Sequence, residues 1–152
     1  MGYFEKDQAN NLVKKHKTNN PYELAYILNI NVIEWDLHPD ILGFYKYEQN
    51  NKWIILNNNA SEREKEITCC HELGHAIMHT RNNTPHLRRN TLFSIEKMEL
   101  EANSFAVELL LSDEKWNFLT KEYQSISAIS HVTGIPGELL FLKHQKYINC
   151  LT

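Results

Sequence analysis

An α+β domain follows from the order of patterns along this chain. Three short runs rich in β-branched and aromatic residues, NVIEWDL (31–37), ILGFYKY (41–47) and KWIIL (52–56), stand together near the front. Helical periodicity fills most of the remaining chain, beginning where Ser61 and Glu64 stand in capping-box spacing. The expectation is a small, mostly antiparallel, three-stranded sheet packed on a pair of helices, with a helical C-terminal part. At 152 residues and 42% hydrophobic content the chain is read as a single domain, residues 1–152, large enough to bury a core.

Residues 4 to 17 form a polar amphipathic helix. Asn20-Pro21 supplies a cap and a first-turn proline for a short helix through Leu28. The three strands are separated by His38-Pro39-Asp40 and Gln49-Asn50-Asn51, and the second and third form a hairpin. The long helix runs from about 61 to 79. A polar loop comes next, TRNNTPHLRRNT, in which the Arg88-Arg89 pair is read as solvated. Ser94 is the expected cap of the next helix, which runs to about Leu111. Ser112 caps another over 113–122, and two short helices split at Gly134-Ile135-Pro136 close the chain.

Composition excludes several classes. A formal charge of −3 provides no broad basic field for nucleic acid. No apolar run approaches the ~18 residues of a membrane span, and the first residues carry no signal-peptide pattern. Gly2 invites a myristoylation reading, but Lys6 stands where Ser or Thr belongs. Cys69, Cys70 and Cys150 are odd in number, and two are adjacent, which fits reduced thiols in a cytoplasm.

Eight histidines is high for this length, and three of them lie in CCHELGHAIMH, residues 69–79. On a helix, His71 and His75 share a face one turn apart, so both imidazoles can reach one ion at about 2.0–2.1 Å. Glu72 is rotated by about 100° from His71, placed to touch a water beside the ion as general base. This is HExxH. Gly74 costs about 1 kcal/mol in a helix relative to alanine, so its presence points to a close backbone approach. His79 lies about 12 Å along the axis from His71 and cannot share the ion, which leaves it a packing or helix-end role. The longer motif with a third histidine is excluded, because Met78 and Arg81 hold its Gly and His offsets.

A catalytic zinc takes three protein ligands and keeps one position open. The third ligand is sought on SIEKMELEANSFAVELLL. Advancing about 100° per residue places Glu99 and Asn103 within the apolar face of Ala102, Ala106, Leu109 and Leu110. Glu101 and Glu108 fall on the opposite side and are expected to face water. A carboxylate on a buried face is costly unless paired or metal-bound, so Glu99 is the candidate ligand. The alternative is a hydrated Glu99 at the positive end of the helix dipole. Asn103 is placed to accept a hydrogen bond from the far nitrogen of His71 or His75. Cys69 and Cys70 point away from the His71 direction and are read as small buried residues.

The pairing of HELGHAIMH with ELEANSFAVELLL resembles the ImmA/IrrE family of small zinc metallopeptidases, and LGFYKYEQNNKWIILNNN is similar to that family's strand region. The likeness covers roughly residues 20 to 112, the expected catalytic core, with 113–152 as the helical remainder. It implies a zincin-like helix pair with a gluzincin-like ligand set: His71, His75 and Glu99 on Zn2+, and Glu72 catalytic. Ser112 stands where members often carry proline. The resemblance further implies an intracellular endopeptidase that makes a site-specific cut in a helix-turn-helix repressor of a phage or mobile element, relieving repression.

Two other readings remain open. Residues 126–143, ISAISHVTGIPGELLFLK, have helix-turn-helix spacing, which would make the chain a DNA-binding regulator. The would-be recognition helix carries the apolar run Leu139–Leu142 and a single lysine, unlike a groove-reading surface, so a helical pair packed on the core is expected. The other reading is a non-catalytic zinc module that binds a repressor, for which Glu72 has no use. Tyr45, Tyr47, His86 and His131 are oxyanion-donor candidates by residue type. The substrate is expected to add as a strand to an exposed edge, either 41–47 or 52–56.

Overall fold

The architecture is that of a computed structural model, in which residues 3–89 and 96–151 are described, the last three by backbone alone. The expected Ser94 cap lies outside the described residues, and so does the side chain of Cys150. Elements run α1 (Phe4–His16), α2 (Pro21–Ile27), β1 (Ile30–Trp35), β2 (Ile41–Glu48), β3 (Asn51–Asn57), α3 (Glu62–Met78), β4 (Leu87–Arg88), α4 (Lys97–Leu110), α5 (Asp113–Glu122), α6 (Ile126–Thr133) and α7 (Gly137–Leu151).

Local chemistry accounts for the boundaries. Asn20 Oδ1 accepts from the Tyr22 and Glu23 amides, and Pro21 opens α2. Gln49 and Asn50 both have positive φ (49° and 61°), the twist a two-residue hairpin needs between β2 and β3. At α3 the capping box is closed in both directions: Ser61 Oγ accepts the Glu64 amide at 3.1 Å, and Glu64 Oε2 accepts the Ser61 amide at 2.9 Å.

The α+β class holds, but among the described residues the sheet has four strands, in the order β1-β3-β2-β4. β3 sits between β1, to which it is parallel, and β2, to which it is antiparallel. The added strand is β4, two residues of the polar loop pairing antiparallel with Ile41 and Gly43. Residues this few leave no alternation to read. With β3 interior, segment 52–56 is not an edge. β2 is also partly covered beyond β4, since its Tyr47 amide donates to Asn83 Oδ1 at 2.8 Å.

α3 packs across β2 and β3 on one side and along α4 on the other. Tyr45, Ile54 and Leu56 of the sheet meet Cys69, Cys70 and Leu73 of α3, and Phe105, Ala106 and Leu109 of α4, in one core. Two glycines permit the close approaches. A Cβ at Gly43 would stand 2.5 Å from the Ile55 carbonyl oxygen and 2.9 Å from Thr68 Cγ2; one at Gly74 would stand 3.1 Å from Phe105 Cδ1 and 3.3 Å from Ala102 Cα.

α1 and α7 both pack on α4. This overturns the expectation that Glu108 faces water: Glu108 is 4% exposed, because α7 covers that side and brings Lys143 Nζ to 2.6 Å from Glu108 Oε2. Leu139, Leu140 and Lys143 of α7 are buried, so the helix-turn-helix-like segment spends one face of its second helix on the core. Among the described residues no helix is long and apolar enough to cross a membrane.

Candidate metal centre

The helix period puts His71 and His75 on one face of α3, and the contact at Gly74 draws α4 against it. The geometry is compact. His71 Nε2 and His75 Nε2 are 3.1 Å apart, Glu99 Oε2 is 3.2 Å from the first, and Glu99 Oε1 is 3.0 Å from the second. All three residues are buried, Glu99 at 6% exposure. Ligand atoms at about 2.0–2.1 Å from a tetrahedral ion stand about 3.3 Å apart. The three side chains therefore form nearly one face of such a polyhedron.

Protons on the outer nitrogens support the same conclusion. His71 Nδ1 lies 2.8 Å from Asn103 Oδ1 and donates to it. His79 Nε2 donates to Glu101 Oε2 at 2.7 Å, which leaves His79 Nδ1 to accept from His75 Nδ1 at 2.9 Å. In the neutral rings both Nε2 atoms then direct lone pairs at each other and at a carboxylate. Electron-rich atoms turned inward in this way call for a cation, a role that protons on Nε2 fill when the rings are charged.

Glu72 is 1% exposed, and among the described residues neither carboxylate oxygen has a hydrogen-bond partner of regular geometry. Ligand atoms of His71, Glu72 and His75 lie within 4.8 Å of one another, so this carboxyl stands beside the triangle. Burial pushes it up to about 7, with the charge of His71 opposing, the like charge of Glu99 adding to the rise, and the Tyr45 backbone amide, too distant or oblique for a regular hydrogen bond, opposing weakly. Burial would also raise Glu99, but the hydrogen bonds and charges of both imidazoles outweigh it and hold that carboxyl well below the usual range. Desolvation depresses His75; for His71 the Glu99 hydrogen bond and the Glu72 charge overcome desolvation and the shift is upward.

The structure brings together His71, Glu72, His75, Glu99 and Asn103, each singled out by helical spacing. The part played by His79 and Glu101 was not legible. Spacing alone assigns His79 only a helix-end role, and it is the C-cap of α3, yet it also spans from His75 to Glu101. Glu101, expected to face water, has its side chain at 24% exposure. The signal was the i, i+4 spacing of His75 and His79, readable only with α4 already placed alongside.

Other candidates are engaged elsewhere. The Tyr45 hydroxyl donates to the Thr80 carbonyl at 2.5 Å and that of Tyr47 to Asn50 Oδ1 at 3.0 Å. His86 stacks on Phe44 with ring centroids 4.4 Å apart, and His131 is exposed. Cys69 and Cys70 are fully buried; burial pushes the Cys69 thiol up to about 12, with Glu72 and Glu66 adding. Arg89 is not simply solvated: it pairs with Glu64 and donates to the Pro39 carbonyl.

The chain is 50% identical over 136 residues to "Uncharacterized immunity region protein 2" of Bacillus phage phi105, covering 87% of this chain and 84% of that one. It is 30% identical over 112 residues to "Metallopeptidase ImmA" of Bacillus subtilis (strain 168), covering 74% of this chain and 66% of that one. Residues 25–140, from α2 into α7, match the profile of the peptidase M78 family, described as the IrrE N-terminal-like domain, and the chain belongs to that family.

Proposed function

We propose that this chain is a zinc-dependent endopeptidase that makes a site-specific cut in an intracellular protein, a helix-turn-helix repressor of phage or mobile-element type, and so relieves repression. The observation that carries the reading is the triangle of His71, His75 and Glu99 with the unpartnered Glu72 carboxyl beside it. His71, His75 and Glu99 would hold the ion, leaving a coordination position open. A zinc ion supplies charge that polarises a carbonyl and makes nearby water more acidic.

The protein's own groups do the rest. Asn103 and His79 fix the imidazole tautomers, so that both Nε2 lone pairs face the centre. Glu72, held near neutrality, takes a proton from the attacking water and delivers it to the leaving amine. Surrounding burial excludes bulk water and strengthens each of these interactions. Residues 1–152 act as one unit, with 20–112 as the catalytic core.

The repressor assignment draws on the immunity-region and ImmA names of the two relatives. Mixing the zinc-loaded protein with the repressor encoded beside it tests the reading. Discrete fragments, absent with Glu72→Gln, are expected. Stoichiometric binding without fragments would favour the zinc module that only captures a repressor. Sequence-specific DNA binding by the purified chain would favour the regulator.

A further inference from the structure

The outer edge of β2 runs past the metal centre. Backbone groups of a strand turn to the same edge at every second residue. In β2 the outward residues are Ile41, Gly43, Tyr45 and Tyr47: the first two pair with β4, the Tyr45 carbonyl meets Thr84, and the Tyr47 amide meets Asn83. The Tyr45 amide on that edge lies close to the Glu72 carboxyl, without a regular hydrogen bond. A strand added to this edge would therefore lie beside the proposed general base.

The chain itself takes that edge. Residues 80–89, between α3 and α4, lie along it. The Thr80 carbonyl accepts from the Tyr45 hydroxyl at 2.5 Å, Asn83 Oδ1 accepts from the Tyr47 amide at 2.8 Å, and Thr84 Oγ1 donates to the Tyr45 carbonyl at 3.5 Å. Leu87 and Arg88 are β4. Arg89 ties down the far end: its amide donates to the Asp40 carbonyl at 3.1 Å, and its guanidinium donates to the Pro39 carbonyl and pairs with Glu64 of α3. The centre is also enclosed. His71, Glu72, His75 and Glu99 are all buried, and Glu99, at 6%, is the most exposed of them. A polypeptide reaches groups so covered only when something over them moves.

We infer that residues 80–89 are a built-in strap that occupies the place of the substrate strand on the β2 edge, so that the chain in this conformation is latent and the cleaved protein must displace them. This rests on the peptidase reading and adds its regulation. The strap is held in a way suited to release. Its ladder is two residues long and broken by a register shift between Ile41 and Gly43. The neighbouring contacts use the side chains of Asn83 and Thr84 in place of backbone bonds. The Arg89–Glu64 pair is 47% and 36% exposed, where water weakens it. A continuous strand from another protein satisfies the same edge with regular backbone hydrogen bonds. Until then the strap lowers the apparent affinity for substrate by the fraction of chains whose edge is free.

The test compares the full zinc-loaded chain with variants that loosen or lock the strap. Asn83→Ala and Arg89→Ala each remove a tether. Each should raise the cleavage rate of the repressor encoded beside the protein by about three- to tenfold at subsaturating repressor, the weight of one hydrogen bond or ion pair. Each should speed the removal of zinc by a chelator by a similar factor. Ile41→Cys with Arg88→Cys places two thiols opposite each other across the β2–β4 ladder. Oxidised, that chain should lose cleavage and release zinc more slowly, and a phosphine reductant should restore both. If the cross-link does not close, the two alanine variants decide alone. In Glu72→Gln, bound repressor should speed hydrogen exchange across residues 80–89. Cleavage by the cross-linked chain at the reduced rate, zinc release and cleavage at the parental rate in both alanine variants, or slower exchange across 80–89 in the bound chain would overturn the inference, the last because the substrate then adds outside β4. Zinc release governed by the strap as described, with no cleavage by any variant, would overturn the peptidase reading and leave the strap as a cover over the centre.

Discussion

Nδ1 of His75 stands 2.9 Å from Nδ1 of His79, and a bond that short between two ring nitrogens needs one proton between them. Glu101 decides which ring carries it: the carboxylate takes the Nε2 proton of His79, so His79 accepts and His75 donates. The lone pair of His75 is thereby fixed toward Glu99. Partners of this kind are worth about 10–100-fold in metal affinity. His79→Ala should weaken zinc binding by that order, read by competition with a chromophoric chelator, with little change in helix content. Glu101→Gln should cost less, because the amide oxygen still accepts from His79. Unchanged affinity in His79→Ala would refute the orienting role.

Glu72→Gln separates catalysis from assembly. Removal of a positioned general base typically costs about 10²–10⁴-fold in rate, whereas zinc affinity should stay within a few-fold because Glu72 is not one of the three converging side chains. Stability should respond in the other direction. A buried carboxyl held at about 7 rather than its unfolded value near 4.3 costs roughly 4 kcal/mol once pH exceeds both. Because the folded value is raised, the native state loses stability as pH climbs from the unfolded value through 7. Urea titrations in chelator should therefore find Glu72→Gln more stable than the parent at pH 8, with the difference vanishing near pH 4. A variant less stable at pH 8 would show that pairing of this carboxyl outweighs its burial.

Glu99 and Glu108 mark how far the sequence could be read. A helical wheel shows which residues of α4 share a face, and this sufficed for Glu99 and Asn103, because the apolar majority defines the face that meets α3. The same wheel assigns every residue opposite that face to water, and here it failed. Glu108 lies on a side that α7 also covers, and no pattern within α4 reveals a second partner supplying Lys143 from 35 residues away. The sheet divides similarly. The β2–β3 hairpin is encoded locally by its turn, whereas the parallel pairing of β1 with β3 and the two-residue β4 depend on tertiary placement.

Lys143 and Glu108 make the buried pair testable. Both side chains are 1% exposed, and Glu108 Oε1 has no further partner. Lys143→Met would strand the carboxylate and should destabilise by about 3–5 kcal/mol. Adding Glu108→Leu should recover most of that loss, since two apolar groups of similar volume replace the pair. Asp113, 2.7 Å from Lys143, contributes a pH dependence. Burial raises its carboxyl, but Lys143 and Lys6 outweigh that and lower it. Its contribution is full above the unfolded value near 3.9 and fades as pH falls through the lower folded value, so Asp113→Asn should flatten the acid limb of the unfolding curve. Denaturant midpoints across pH check both outcomes.

Gly74 links packing to the site. Alanine there would gain about 1 kcal/mol of helix propensity. Its Cβ, however, would stand 3.1 Å from Phe105 Cδ1 and 3.3 Å from Ala102 Cα, and the latter is backbone that cannot move without shifting α4. Overpacking of this kind costs about 1–3 kcal/mol, so the balance is a net loss of up to about 2 kcal/mol. The strain also falls on the helix that carries Glu99 and Asn103, and moving α4 outward lengthens the contacts of Glu99 with both imidazoles. Gly74→Ala should therefore lower zinc affinity as well as stability. Gly137→Ala is the control: a Cβ there meets nothing within 4 Å, so the exchange should be neutral or slightly stabilising and leave zinc binding unchanged. Chelator competition and urea midpoints on the two variants distinguish close helix approach from glycine flexibility. Equal zinc affinity in both would show that the α3–α4 separation does not set the geometry of the centre.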